Sequence, residues 1–262
     1  MSRRLSGCTI VVTGASGIAA AGAELFAAAG ARVFVVSRTA ATCESLVAAI
    51  TDAGGDAAWA IADLTNEAAA EAAFAACKGR FGPVHGLFAV AGGSGRRFGD
   101  GPIDQMPLAA WRETNTLNGD PLFLAVREAA RAMVAGDGGS IVVVSSVLAT
   151  DPSPTLFATH GYAASKGAAL SLVRSTAAYY AASNVRVNAL TPALIETPMS
   201  ARAATDEATM GYIAKKQPLA AGMLPAKAVA EAGLFLLSTD ARFITGQVIA
   251  IDGGWSVTEA GP

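Results

Sequence analysis

The stretch that decides the fold runs Cys8-Thr9-Ile10-Val11-Val12-Thr13-Gly14-Ala15-Ser16-Gly17-Ile18-Ala19. Residues 8–12 form a short apolar, β-branched run, the pattern of a strand covered on both faces. Residues 17–29 have helical length and are rich in alanine. Between them, Gly14 and Gly17 let the backbone reach positive φ and approach a bound group closely. A pyrophosphate placed there would meet free N–H groups and the positive end of the helix dipole. Tight strand-to-helix turns also use glycine without any ligand, so this turn needs support from the rest of the chain.

Working outward, the same alternation continues to the end. Strand-like runs recur at 8–12, 32–36, 57–61, 85–90, 140–144, 185–190 and 247–251. Helical stretches lie near 17–29, 42–53, 67–78, 106–135, 161–182 and 225–238. This implies an α/β fold: a doubly wound parallel sheet of about seven strands with helices on both faces. The chain has 262 residues without internal repeat or linker, so residues 1–262 read as a single domain. Three irregular stretches resist the scheme: 92–107, 148–159 with Pro152 and Pro154, and 192–218. All follow strands, at the carboxyl ends where open α/β sheets bind ligands. Residues 192–218 are expected to form a substrate loop or lid with one or two short helices.

Composition excludes several classes. Hydrophobic residues make up 52% and charged residues 15%, which rules out a disordered chain. Sixty alanines account for nearly half of the hydrophobic total, so the mean hydropathy of +0.42 reflects small residues. No run of 18 or more apolar residues without charge is present, which argues against a membrane span. Net charge is −2 with no basic stripe, so nucleic acid is not expected as a partner. Cys8, Cys43 and Cys77 are far apart and only His85 and His160 occur. Reduced thiols in the cytoplasm, and no metal site, are the expectation.

Two further strand ends carry ligand-type residues. Ser37-Arg38 follows the second strand where an NAD-selecting fold usually offers an acid. A hydroxyl and a guanidinium suit a 2′-phosphate, although a solvated surface arginine reads the same way. Asp63-Leu64 ends the third strand, where Asp63 either meets an adenine edge or caps the helix beginning near Asn66. The strongest signal is Tyr162-Ala163-Ala164-Ser165-Lys166, preceded by Ser145-Ser146 at the end of strand five. Spaced four apart on a helix, Tyr162 and Lys166 share one face. An unperturbed phenol ionises near pH 10, so acting near neutrality asks for about 4 kcal/mol of preferential phenolate stabilisation. Lys166 and an oxidised nicotinamide ring would both contribute.

Thr13–Ala19, Asn118, Ser146, Tyr162 and Lys166, in that order, resemble the short-chain dehydrogenase/reductase family, in its compact single-domain, Rossmann-type subgroup. Supporting pieces are Val185-Arg186-Val187-Asn188-Ala189, Pro192, Ile195-Glu196-Thr197-Pro198 and Asp252-Gly253-Gly254. The resemblance spans essentially the whole chain. Four departures stand out. The glycine turn is one residue short and ends in Ala19 where the family has glycine. The Asn-Asn-Ala-Gly stretch reads Ala89-Val90-Ala91-Gly92, losing side chains that brace the sheet centre. The Pro-Gly after strand six is Pro192-Ala193. Ser146 and Tyr162 are about three residues further apart than usual.

The resemblance implies roles for individual residues. Tyr162 is the general acid/base, Lys166 lowers its pKa and holds the nicotinamide ribose, and Ser146 binds the substrate oxygen. Asn118 holds a water linking Lys166 to solvent, or merely satisfies local backbone groups. Gly14, Ser16, Gly17 and Ile18 fall in the phosphate turn, Ile195 and Thr197 contact the nicotinamide end, and Ala91, Gly92 and Pro192 are further cofactor-binding positions. The implied activity is NADP(H)-dependent interconversion of a ketone and a secondary alcohol, by a cytoplasmic homotetramer assembled through helices 106–135 and 161–182 and the last strand. A non-enzymatic NADP-binding sensor or scaffold, and an epimerase or lyase using the same phenol, are the alternatives. Arg96-Arg97 reads as a solvated pair or as a contact for an anionic substrate; His160 stays outside the expected site. Trp255 is expected at a subunit contact or at the sheet edge. The substrate itself is left open among apolar or aromatic ketones, polyols and acyl thioesters.

Overall fold

Each β-branched run becomes a strand because helices cover both of its faces. The computed structural model describes residues 4–153 and 156–259. Its strands are β1 (Thr9–Thr13), β2 (Arg32–Ser37), β3 (Asp56–Ile61), β4 (Gly86–Ala89), β5 (Gly139–Val144), β6 (Val185–Pro192), β7 (Ile195–Glu196), β8 (Leu224–Pro225) and β9 (Val248–Ile251). Seven form one sheet in the order β3-β2-β1-β4-β5-β6-β9, and β7 pairs with β8 in a separate ribbon. Every pairing is parallel.

Side chains alternate between two cores, as strand geometry requires. Val11, Phe34, Leu87, Ile141 and Val187 pack beneath α3 (Glu67–Phe81), α4 (Leu108–Val134) and α5 (His160–Tyr180). Ile10, Val12, Val33, Val35 and Phe88 pack beneath α1 (Ile18–Ala28), α2 (Ala40–Asp52) and α8 (Ala226–Leu237). Helices α1 and α8 approach the sheet closely through glycine. A Cβ at either Gly22 or Gly233 would lie 2.8 Å from the Phe88 ring.

Local chemistry sets the element ends. Asn66 caps α3 by accepting from Ala69 N, Glu67 lies in the first turn, and Lys78 and Arg80 lie in the last. Gly82, at φ 78, then reverses the chain. Helix α4 starts at Leu108, two residues later than predicted, because Pro107 holds extended backbone at φ −64 and ψ 147. Residues 192–218 contain α6 (Ala201–Ala204) and α7 (Glu207–Lys216), in line with the short helices expected there. Pro154 lies outside the described residues. No helix among the described residues is long and apolar enough to cross a membrane.

Candidate active site

Strand order reverses between β1 and β4, and the carboxyl ends of β1, β4, β5 and β6 border a cleft of about 320 Å³. The glycine turn forms one end of it. Gly14 has φ 102 and Gly17 φ 55, conformations that side-chain-bearing residues rarely adopt. Helix α1 opens there with no side-chain cap and no acid in its first turn, leaving its positive end to an anion. Ala19 is buried, and a Cβ on Gly14 would stand 3.1 Å from its methyl. Across the turn, a Cβ on Gly17 would come 2.9 Å from Thr197 Cγ2, so Thr197 closes over the cradle. This arrangement fits a dinucleotide pyrophosphate.

Gly14, Ser16, Gly17, Ile18, Ala91, Gly92, Pro192, Ile195 and Thr197 all line the cleft. The bracing lost from 89–92 is supplied by a different side chain: Thr13 Oγ1 accepts from Val90 N at 2.9 Å and Ala91 N at 3.0 Å.

Helix α5 carries the reactive groups and is tied to the end of β5. Ser145 Oγ donates to Lys166 O at 2.8 Å, and Lys166 Nζ donates to Val144 O at 3.1 Å. Ser146 lies beside the Tyr162 phenol and works to lower its pKa, and its Oγ accepts from Leu148 N at 3.2 Å. Lys166 Nζ lies 5.6 Å from the centre of the Tyr162 ring. Burial pulls the Lys166 ammonium down to about 8. Burial also pushes the Tyr162 phenol above its ordinary value, against the opposing effect of Ser146. Ser146, Tyr162 and Lys166 therefore form one group within the cleft.

Asn118 lies behind the cleft wall. Its Nδ2 donates to Gly93 O at 3.0 Å and to Thr114 O at 2.9 Å, and Oδ1 accepts from Gly93 N at 3.0 Å. Both amide hydrogens are thus committed to backbone, including the carbonyl four residues back in its own helix. Gly92 must be glycine here, since a Cβ would lie 2.6 Å from Asn118 Oδ1.

Ser37, Arg38, Asp63 and Leu64 do not line this cleft. They lie at the ends of β2 and β3, where Ala62 N donates to Ser37 O at 3.0 Å. Asp63 does not cap α3; its Oδ1 accepts from Thr65 N at 3.0 Å and Thr65 Oγ1 at 2.8 Å. Those bonds, with a smaller contribution from Arg38, hold its carboxyl below the usual range.

Asp100, and the place of Trp255 in the cleft wall, escaped the sequence reading. Asp100, 4% exposed, accepts from Gly161 N at 2.8 Å and Tyr162 N at 2.9 Å, capping the catalytic helix from 62 positions before the tyrosine. An isolated acid in a glycine-rich loop gives no local signal of that role. Trp255, 2% exposed, is buried within its own chain just after β9, the edge strand of the sheet. It stacks edge-on with Phe157 and Tyr212, and its Nε1 donates to Asp151 O at 3.0 Å. His160 Nδ1 meets Gly101 O at 2.8 Å and stays out of the cleft.

Comparisons with known proteins agree with this geometry. Residues 12–256 match the family model described as enoyl-(acyl carrier protein) reductase. The cis-4-hydroxycyclohexanecarboxylate dehydrogenase of Sinomonas cyclohexanicum is 37% identical over 94% of this chain and 95% of its own. Galactitol 2-dehydrogenase (L-tagatose-forming) of Cereibacter sphaeroides is 36% identical, covering 97% of each. A short-chain type dehydrogenase/reductase from Mycobacterium ulcerans superposes with a TM-score of 0.91 at 35% identity, over 99% of this chain and 92% of that one. The chain therefore belongs to the short-chain dehydrogenase/reductase family, as an oxidoreductase of the alcohol/ketone dehydrogenase type that works with a nicotinamide cofactor.

Proposed function

We propose that the protein is an NADP(H)-dependent oxidoreductase that interconverts a ketone and a secondary alcohol, with Tyr162 as general acid/base. The carrying observation is that Ser146, Tyr162 and buried Lys166 line the same cleft as the glycine cradle. When bound, the nicotinamide supplies a hydride to the carbonyl carbon or accepts one from the alcohol carbon. Ser146 holds the substrate oxygen and orients it towards the phenol. In reduction Tyr162 gives its proton to that oxygen, and in oxidation it takes the proton back. Lys166, held by Val144 O, places a cation on the side of Tyr162 and favours the phenolate that forms. Asn118 fixes the Gly93 backbone beside these groups.

The preference for NADP(H) rests on Ser37-Arg38, with no acid at the end of β2, and the adenosine end of the cofactor is assigned to Ser37, Arg38, Asp63 and Leu64. Apolar walls from Leu148, Phe157, Leu194, Met199 and Trp255 favour an apolar or ring-bearing substrate over a polyol. Relatives named for a hydroxycyclohexanecarboxylate and for galactitol bracket that choice. Exposed Trp111, Phe123 and Tyr179 on α4 and α5 support a homotetramer built on those helices, and three free cysteines suit the cytoplasm.

A panel of ketones followed at the absorbance of the reduced cofactor tests the reading. Tyr162→Phe is expected to keep NADPH binding and lose turnover; undiminished turnover would refute the assignment. A higher kcat/KM with NADH than with NADPH would overturn the role given to Ser37 and Arg38.

A further inference from the structure

The cleft carries more positive charge than the chemistry above uses. Its charged lining residues are Lys166, Arg96 and Arg202, with no aspartate or glutamate among them. Arg96 comes from the loop after β4, and its Nη2 donates to Leu156 O at 3.3 Å in the loop before Tyr162. Arg202 comes from α6, beyond Thr197. The neighbouring Arg97 belongs to the surface: it lies 4.6 Å over the Phe98 ring and does not line the cleft.

Neither Arg96 nor Arg202 has an ion pair among the described residues. The nearby acids point their oxygens at helix starts and not at the guanidiniums. Both Asp100 oxygens accept from the start of α5, and Asp206 Oδ1 caps α7 by accepting from Thr209 N at 2.6 Å. Partial burial and the approach of Arg202 pull the Arg96 guanidinium below its ordinary value, while Asp100 opposes this. Two like charges thus line one cleft without a direct ion pair, with Asp100 and Asp206 as the acids near them. The glycine turn already offers the cofactor's pyrophosphate an uncapped helix start of its own.

We propose that Arg96 and Arg202 form an anion subsite, and that the ketone or alcohol turned over here carries a carboxylate which they bind. This rests on the oxidoreductase reading and narrows its substrate to a carbonyl compound with an apolar body and one acidic end. The apolar walls cover the body, the guanidiniums take the carboxylate, and the carbonyl oxygen is left to Ser146 and Tyr162.

The test is calorimetric binding of 4-oxocyclohexanecarboxylate and of its carboxamide to protein saturated with NADP⁺, a complex that cannot turn over. The acid is expected to bind about tenfold or more tightly than the amide, with the gap narrowing at high salt. Arg96→Gln and Arg202→Gln are each expected to shrink the acid-to-amide ratio several-fold, and the double variant to bring it near one. Equal binding of the two probes, binding of neither, or an unchanged ratio in the double variant overturns the subsite. Loss of NADP⁺ affinity in the variants at an unchanged ratio also overturns it, by assigning the guanidiniums to the cofactor. If the acid binds preferentially but neither NADPH nor NADH reduces it or any ketone, the subsite stands and the oxidoreductase reading falls. Reduction of ketones without preference for the acid has the opposite meaning.

Discussion

Asp100 should be the residue through which a distant loop controls the placement of Tyr162. Helix α5 runs for 21 residues, yet Thr159 at its start makes no capping bond and no acid occupies the first turn. Its first amides are satisfied instead by the Asp100 carboxylate, at 2.8 Å and 2.9 Å. Asp100→Ala leaves two N–H groups unpaired in a buried place, about 1–3 kcal/mol each. It also removes a charge from the positive end of a helix dipole, about 0.3–2 kcal/mol. These contributions overlap, so a total loss near 2–5 kcal/mol is expected. For a chain of this size each kcal/mol lowers Tm by roughly 2–4 °C, giving a drop of about 4–20 °C. The effect on turnover is the sharper test. One of the two released amides belongs to Tyr162 itself, and misplacement on the order of 1 Å can cost about 100-fold. Asp100→Asn keeps one acceptor and should lie between the two proteins in both respects. Asn66→Ala serves as the control, since it removes an ordinary cap from α3, far from the cleft, at about 1 kcal/mol. The assay is steady-state carbonyl reduction beside a thermal melt. If Asp100→Ala lowers kcat no more than Asn66→Ala does, the carboxylate merely stabilises the fold and the reasoning is wrong.

Three other substitutions probe separate parts of the site. Gly17→Ala places a methyl on a residue at φ 55 and within 2.9 Å of Thr197, so cofactor affinity should fall at least tenfold by fluorescence titration while the core stays folded. Lys166 has its folded pKa lowered from 10.5 to about 8, so the unfolded chain binds more protons between those values and native stability gains as pH rises through them. Relative to Lys166→Met, the native chain should therefore gain about 2–3 kcal/mol between pH 7 and pH 10 in denaturant melts of cofactor-free protein; a flat difference would contradict the buried cation. Trp255→Ala empties a buried aromatic site at a cost of about 3–5 kcal/mol, and KM for the ketone should rise with it. An unchanged KM would separate Trp255 from substrate.

The sheet was legible because its signals are local. Ile10-Val11-Val12 and Ile141-Val142-Val143-Val144 are continuous apolar runs, and parallel strands buried on both faces have no polar side to interrupt them. Tyr162 and Lys166 were legible for the same reason, because their helical spacing alone places them on one face. Contacts between remote residues left no such trace. Thr159 looks like the natural cap of α5, but its hydroxyl donates to Phe157 O at 3.3 Å and the cap comes from Asp100. Asn118 could be placed on its helix by sequence, while two of its three backbone bonds depend on where Gly93 is brought by the loop. Arg96 and Arg97 are indistinguishable as a dipeptide; only the loop's path turns one into the cleft and the other onto Phe98.

Trp255 also has a consequence for how the molecule is made. The glycine turn is complete once α1 and β2 have been synthesised, but the cleft's far wall waits for residues near 255 to pack on Phe157 and Tyr212. At roughly 5–20 residues per second, about 5–20 s separate the emergence of Val147 from that of Trp255. Throughout that interval the growing polypeptide presents Val147, Leu148 and Phe157 without the indole that covers them.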